Sequence, residues 1–265
     1  MAVNLEVRPE NLPACTVSEL FTQTVARCGN QLALRETISK ATPSATAQLF
    51  TDKFQQISCT WNEYNQSVRS FAKALIAYDV QPQDAVAIQG SNSRQWMTAN
   101  IATMVAGGIS AGVYATNSPA LCEHVAIDSK AKVVVVEDEM QLQKYRNVTS
   151  TALKCFVVWK GIKGSLDLSA YPAPVRTWDQ FLIEGNHISE EEVERRIQAQ
   201  KPDQVCALIY TSGTTGNSKG AALTHDCLTW TARVAGKRFS MDSMQHGISY
   251  LPLSHIAAQQ LDCIL

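Results

Sequence analysis

The chain has 265 residues, with 23 Lys+Arg against 24 Asp+Glu and a formal net charge of -1. Hydrophobic residues make up 45% and charged residues 18%, ordinary proportions for a globular protein that can bury a sizeable core. The length excludes a mini-protein, and the charge balance argues against a nucleic-acid or anionic-membrane binder. The length permits one large domain, two small ones, or a piece of something larger.

Met1 to Glu10 has no apolar run of the kind a signal peptide needs. Ala2 excludes N-myristoylation, and Cys263 lies third from the end, where prenylation requires the fourth position. The longest mostly apolar run, 101–115, contains Thr103, Ser110 and three glycines, and falls short of the roughly 20 residues that span a bilayer. The expectation is a cytoplasmic chain, at most peripheral on the endoplasmic reticulum or another membrane.

Thr16-Val-Ser-Glu19 has the pattern of a capping box opening a helix, and Thr60-Trp-Asn-Glu63 repeats it ahead of a helix running toward Asp79. Val68, Phe71, Ala72, Leu75 and Ile76 recur at helical spacing and give that helix one buried face. Asp84 to Ile88 reads as a short buried strand. Ser91 or Asn92 then caps a helix to about Ala106, stopped by Gly107-Gly108, and Ile109 to Tyr114 resumes as strand. Ser118-Pro119 places a cap before a proline at the first helical position, predicting a helix to about Asp128. Lys132-Val-Val-Val-Val136 is a continuous β-branched run, as in a strand covered on both faces. Strand–helix–strand–helix–strand over 84–136 implies right-handed crossovers and a parallel sheet. Cys155 to Trp159 reads as a further strand, Gly161 to Gly185 as loop-rich, and Ser189 to Gln200 as a charged, exposed helix. The fold class expected is α/β, a mostly parallel doubly wound sheet.

Eight cysteines are scattered without a CxxC pair, so metal-ligand spacing is absent and they read as reduced, mostly buried thiols. Trp96, Trp159, Trp178 and Trp230 sit in apolar patterns as packing residues. His225 reads as a capping or surface residue, and His124, His187 and His246 lack acidic partners at a recognisable spacing. The Glu190–Arg196 run reads as a solvated helix face with i,i+4 pairs such as Glu191–Arg195 and Glu192–Arg196.

Chemistry concentrates in one place. After the strand Val205 to Tyr210 comes Thr211-Ser212-Gly213-Thr214-Thr215-Gly216-Asn217-Ser218-Lys219-Gly220, and a helix follows from about Thr224 to Arg238. The glycines let backbone N–H groups converge on an anion, the hydroxyls add donors, and Lys219 adds positive charge, which suits a polyphosphate. The loop is not a Walker A motif, because Asn217-Ser218 intervenes between Gly216 and Lys219, and it does not fit G-x-G-x-x-G. The competing reading is a surface loop of small polar residues; a direct join of buried strand to helix, ending in Lys-Gly, argues against it.

Tyr210 to Gly220 resembles the phosphate loop of the adenylate-forming superfamily, which comprises acyl-CoA synthetases, luciferases and peptide-synthetase adenylation domains. Ser249 to Gln259, with Pro252-Leu-Ser-His255, resembles the motif that follows in fatty acyl-CoA synthetases, most closely those of the bubblegum type. Gly90 to Trp96 and Ala106 to Pro119 look like the N-terminal half of the same group, so the resemblance extends from about residue 16 to the end. It implies ATP-dependent joining of a long-chain fatty acid to AMP, then transfer of the acyl group to coenzyme A. On this reading Thr211, Ser212, Gly213, Thr214, Thr215, Gly216 and Lys219 hold the β- and γ-phosphates, with Mg2+ bridging oxygens and no metal ligand assigned to the chain.

His255 has two readings. By resemblance it lies near the acyl carboxylate and α-phosphate, donating a hydrogen bond or closing the acyl tunnel; on the residues alone it is a helix-start histidine making a local hydrogen bond. The resembling loops usually carry proline where this chain has Ser218, which loosens the loop without removing a donor. Family members continue beyond the Ser-His motif into an acidic segment, a ribose-binding aspartate and a small lid with a catalytic lysine. None of these occurs before Leu265, inside a helix expected over Ile256 to Leu265. Residues 1–265 are therefore expected to be a partial AMP-binding domain without its C-terminal lid. The alternative expectation is a truncated, inactive chain acting at most as a binding module. A third reading, a small-acid or amino-acid adenylating enzyme, lacks support from the Pro-Leu-Ser-His-Ile-Ala-Ala-Gln stretch.

Overall fold

Helix starts in this protein are written by Ser, Thr and Asp side chains that accept an otherwise unpaired backbone N–H. The computed structural model describes residues 12–39, 54–162, 166–211, 218–239 and 246–264. Thr16 accepts from Glu19 N while the Glu19 carboxylate takes the Thr16 N–H at 2.7 Å, a full capping box opening α1 (Val17–Cys28). Thr60 and Glu63 repeat it for α2 (Trp61–Ala77). Ser93, rather than Ser91 or Asn92, caps α3 (Arg94–Val105). Ser118 caps α4 (Pro119–Asp128), and Asp138 caps α5 (Glu139–Gln143). Thr177, Ser189 and Thr224 cap α6 (Trp178–Glu184), α7 (Glu190–Gln198) and α8 (His225–Arg238).

The antiparallel pair β1 (Leu32–Ser39) and β2 (Phe54–Thr60) goes beyond the elements read from the sequence. The main sheet has seven strands: β3 (Ala85–Gln89), β4 (Ile109–Val113), β5 (Val133–Val136), β6 (Cys155–Val158), β7 (Val175–Thr177), β8 (Val205–Thr211) and β9 (Lys219–Thr224). Their order is β7-β6-β5-β3-β4-β8-β9, every pair parallel except β8–β9. The α/β, mostly parallel, doubly wound expectation stands.

The strands β5 and β6 alternate between two cores. Val133, Val135, Cys155 and Val157 join the cluster beneath α1, α2, α3 and α6, with Phe71, Trp96 and Phe181; Val134, Val136, Phe156 and Val158 join the other, with Tyr145 and Val125. All eight residues are buried, as a run covered on both faces requires. The stretch read as loop, 161–185, holds β7 and α6. Its prolines lie before β7, and Phe181 fills the core against Phe71 and Tyr78. All eight cysteines are free; five are buried, and burial pushes the Cys155 thiol up to about 12.

Two departures bear on the site. The sequence reading joins the Ser/Thr/Gly loop directly to a helix, but β9 intervenes. Its six residues pair antiparallel with β8, Thr211 opposite Lys219 and Tyr210 opposite Gly220. The outer edge of β8 offers unpaired backbone groups there, and the chain returns along it before α8 starts. The expected helix over 256–265 is also irregular: a single α-turn, Ile256–Ala258, followed by a π-helix, Gln259–Ile264.

Candidate nucleotide-binding site at the carboxyl edge of the sheet

In an open parallel sheet, ligands bind beyond the carboxyl ends of the strands where the strand order reverses. Here the chain runs from β3 to β4, crosses back over β3 to β5, and later returns to place β8 beside β4. Residues 90–93 follow β3 and meet residues 249–253 through Asn92, Ser254 lies against Gly112 of β4, and the two arms of the Ser/Thr/Gly loop pair at the carboxyl end of β8.

Of the sequence-identified residues, Thr211 and Lys219 are exposed and face each other across the β8–β9 register. Ser212, Gly213, Thr214, Thr215 and Gly216 lie outside the described residues. The N-terminus of α8 stands at the far end of β9, about 20 Å from Lys219 at roughly 3.3 Å per strand residue. Its dipole therefore does not point at Lys219.

His255 sits at the start of the turn Ile256–Ala258, and its Nδ1 accepts the Ala257 N–H at 3.1 Å. This is the local hydrogen bond read from the sequence. It also assigns the tautomer: an accepting Nδ1 is unprotonated, so neutral His255 carries its proton on Nε2 and can donate it to a ligand. The exposed ring leaves the two readings compatible, one nitrogen for each.

Two contacts fix the His255 segment on the sheet. A Cβ at Gly112, one residue from the end of β4, would meet Ser254 Cα at 3.0 Å and Gln259 Nε2 at 3.3 Å. Gly112 pairs with Ile209 of β8, two residues before Thr211. Glycine thus lets the chain around His255 lie against the sheet beside the strand that carries the loop. From the other side, the Asn92 amide donates to Leu251 O at 2.8 Å, Ser249 Oγ at 2.9 Å and Ser249 O at 3.2 Å, and its Oδ1 accepts Leu253 N–H at 3.0 Å.

The 90–93 segment is held in turn by Glu137 at the end of β5, which accepts Ser91 N–H at 2.7 Å and pairs with Lys160 at 2.5 Å. Burial pushes the Glu137 carboxyl up, but Lys160 and the Ser91 hydrogen bonds outweigh it and hold the group below its usual range. Ser249 Oγ also donates to Asp262 Oδ2 at 2.8 Å, and burial raises that carboxyl against the hydrogen bond. Among the described residues no group of three or more His, Cys, Asp or Glu stands together to hold a metal ion.

Sequence reasoning missed Asn92 as the brace of the motif segment, and it missed His225. Read as a capping or surface residue, His225 is buried and its Nδ1 accepts the Val17 N–H at 3.1 Å; burial lowers its pKa to about 4. It is a structural acceptor away from the loop. The Glu190–Arg196 helix is likewise less solvated than its composition suggests. Glu192 pairs with both Arg195 and Arg196, while Arg196 is buried and donates to Val80 O and Ala106 O. No helix among the described residues is long and apolar enough to cross a membrane.

The family description "AMP-binding enzyme" matches residues 35–265. The long-chain-fatty-acid–CoA ligase ACSBG2 of Xenopus laevis is 37% identical over 258 residues, 95% of this chain and 32% of that protein. ACSBG1 of Homo sapiens, also a long-chain-fatty-acid–CoA ligase, is 37% identical over 217 residues, 80% of this chain and 29% of that protein. The chain thus spans about a third of the length of these relatives. Among solved structures, the A-PCP didomain of a carboxylic acid reductase from Segniliparus rugosus, in complex with AMP, superposes with TM-score 0.73 at 16% identity, covering 94% of this chain and 37% of that one. A long-chain-fatty-acid–CoA ligase, FadD1 from Archaeoglobus fulgidus, gives 0.71 at 18% identity, covering 96% and 45%. These structural likenesses carry the fold. With the fold, the loop at the sheet's carboxyl edge and the match over 35–265 together, the chain belongs to the AMP-binding enzyme family, and its curated relatives are bubblegum-type long-chain-fatty-acid–CoA ligases.

Proposed function

We propose that this chain forms the ATP-phosphate-binding part of a long-chain fatty acid–CoA ligase that activates its fatty acid through acyl-AMP. The observation that carries the reading is the pairing of Thr211 with Lys219 across β8–β9, at the sheet edge where Ser254 and His255 also lie. The adenylation requires a weak carboxylate nucleophile to be set against the α-phosphate while charge builds on the phosphates. Lys219 and the Thr211 hydroxyl, with Ser212, Gly213, Thr214, Thr215 and Gly216, hold the β- and γ-phosphates. Mg2+ would arrive with ATP and would help neutralise the phosphate charge beside Lys219 and the Thr211 hydroxyl. His255 donates through Nε2 near the acyl carboxylate and α-phosphate, its ring oriented by the Ala257 N–H on Nδ1. Coenzyme A is the acceptor in the second half-reaction, and these three substrates are the partners proposed. On this reading the chain is a partial AMP-binding domain, and among the described residues no segment takes the place of the lid of the resembling family.

In the enzyme that carries this chain, ATP–pyrophosphate exchange is expected to depend on a long-chain fatty acid. Removing one group that stabilises the developing phosphate charge costs about a hundredfold in such sites, and Lys219→Ala is expected to do so. Absence of exchange with any fatty acid overturns the reading. For residues 1–265 alone, MgATP binding without turnover supports the alternative, a catalytically inactive binding module.

A further inference from the structure

The helix α4 carries His124 and Asp128 one turn apart, so their side chains share one face. That face grips both arms of the Ser/Thr/Gly loop. His124 Nε2 lies 2.7 Å from the Ser218 carbonyl oxygen, just before Lys219. A carbonyl can only accept, so Nε2 carries the proton and donates it. On the other arm, Tyr210 Oη donates to Asp128 Oδ2 at 2.7 Å, immediately before Thr211. The two grips share one ring: His124 stands edge-on to Tyr210, with centroids 6.4 Å apart and planes at 87°. Tyr210 in turn lies against β9, where a Cβ at Gly220 would meet its Cζ at 3.1 Å. His124, Tyr210, Ser218 and Gly220 form one packed unit at the mouth of the loop.

We propose that His124 is a positioning residue that aims Lys219 at the anion by holding the Ser218 carbonyl. Proline at 218 would fix φ of that residue; serine does not. The hydrogen bond from His124 restrains the same peptide from outside, supplying through α4 a rigidity that the serine lacks. Lys219 then leaves a fixed point, and the direction of its side chain is set before a phosphate arrives.

The proposal rests on the reading that Lys219 meets phosphate, and the experiment separates the two. The 265-residue chain is titrated with inorganic pyrophosphate and Mg2+, and amide exchange at 219–220 is followed without ligand. His124→Leu keeps apolar bulk beside Tyr210 and deletes the donor; His124→Gln keeps a donor. His124→Leu is expected to speed exchange at Lys219 and Gly220 and to weaken pyrophosphate binding about tenfold, the effect of one hydrogen bond of ordinary strength. His124→Gln is expected to restore both while the thermal midpoint stays near wild type. If Lys219→Ala weakens binding but His124→Leu changes neither readout, the phosphate reading stands and the positioning role fails. A His124→Gln chain as weak as His124→Leu also overturns it, because the donor is then not what matters. If the wild type does not bind pyrophosphate, or Lys219→Ala binds as well as wild type, the phosphate reading falls and the proposal with it.

Discussion

Asn92 and Leu253 are joined by a hydrogen bond from the Leu253 N–H to Asn92 Oδ1 at 3.0 Å, across 161 residues of sequence. The same amide donates from Nδ2 to Leu251 O and to Ser249. One side chain therefore satisfies an extended stretch whose backbone has no strand partner, and that stretch ends at Ser254 and His255. Asn92→Ala is expected to cost about 2 kcal/mol of stability, because its part-buried hydrogen bonds to Leu251 O and from Leu253 N–H, each of ordinary strength, are lost together. Asn92→Asp is expected to cost more, because a carboxylate oxygen then faces the Leu251 and Ser249 oxygens that the amide once served. Urea midpoints give the magnitudes, and faster amide exchange confined to 251–253 identifies the segment released.

The contrast between what was legible and what was not follows sequence separation. Thr16, Thr60 and Ser118 are readable as caps from about four consecutive residues, since capping is settled within one turn. Val133–Val136 is readable because four β-branched residues need cover on both faces. The strand β9 is not: Ala221 and Ala222 are exposed and nothing in Lys219–Thr224 alternates. It is a strand because β8 offers a free edge. His225 and Asn92 escaped for the same reason, their partners lying 208 and up to 161 residues away. Tertiary hydrogen bonds leave no periodicity in the local sequence. At the candidate site, the loop was singled out by its residue types and His255 by the family resemblance, whereas the contacts of Asn92, Gly112 and His124 required the fold.

Arg196 illustrates a charge whose role is hidden by its neighbours. It lies among exposed Glu and Arg residues on α7, yet is 6% exposed and donates from Nη1 to Val80 O at 2.7 Å and Ala106 O at 3.2 Å. These carbonyls close the ends of the segments following α2 and α3, so the guanidinium fastens α7 beneath both. Its Nε also meets Glu192 at 3.1 Å. Arg196→Leu fills much of the volume but leaves two buried carbonyls unpaired, and is expected to cost about 2–4 kcal/mol. Glu191→Ala, on the exposed side of the same helix, is expected to change stability by less than about 0.5 kcal/mol. Chemical denaturation of the two variants checks the contrast; equal effects would mean that Arg196 is no more than another surface charge.

His225 sets an acid limit on the fold. Burial lowers its pKa to about 4 from an ordinary 6.5, and its Nδ1 must stay unprotonated to accept the Val17 N–H. The folded state therefore binds its proton only near pH 4, whereas the unfolded chain takes one up already near 6.5. Between those values the unfolded state holds more protons, so stability rises with pH and is lost as pH falls. At 1.36 kcal/mol per unit the full effect is at most about 3 kcal/mol, of which about 2 kcal/mol is gone by pH 5. Urea unfolding at pH 7.5 and pH 5.0 is expected to show this loss in the wild type. His225→Gln can keep an acceptor for Val17 but does not titrate, and its stability is expected to differ little between the two pH values. The docking of α1 on α8 reports the same event locally: Val17 amide exchange, corrected for its intrinsic pH dependence, is expected to quicken below pH 6 in the wild type and not in the variant.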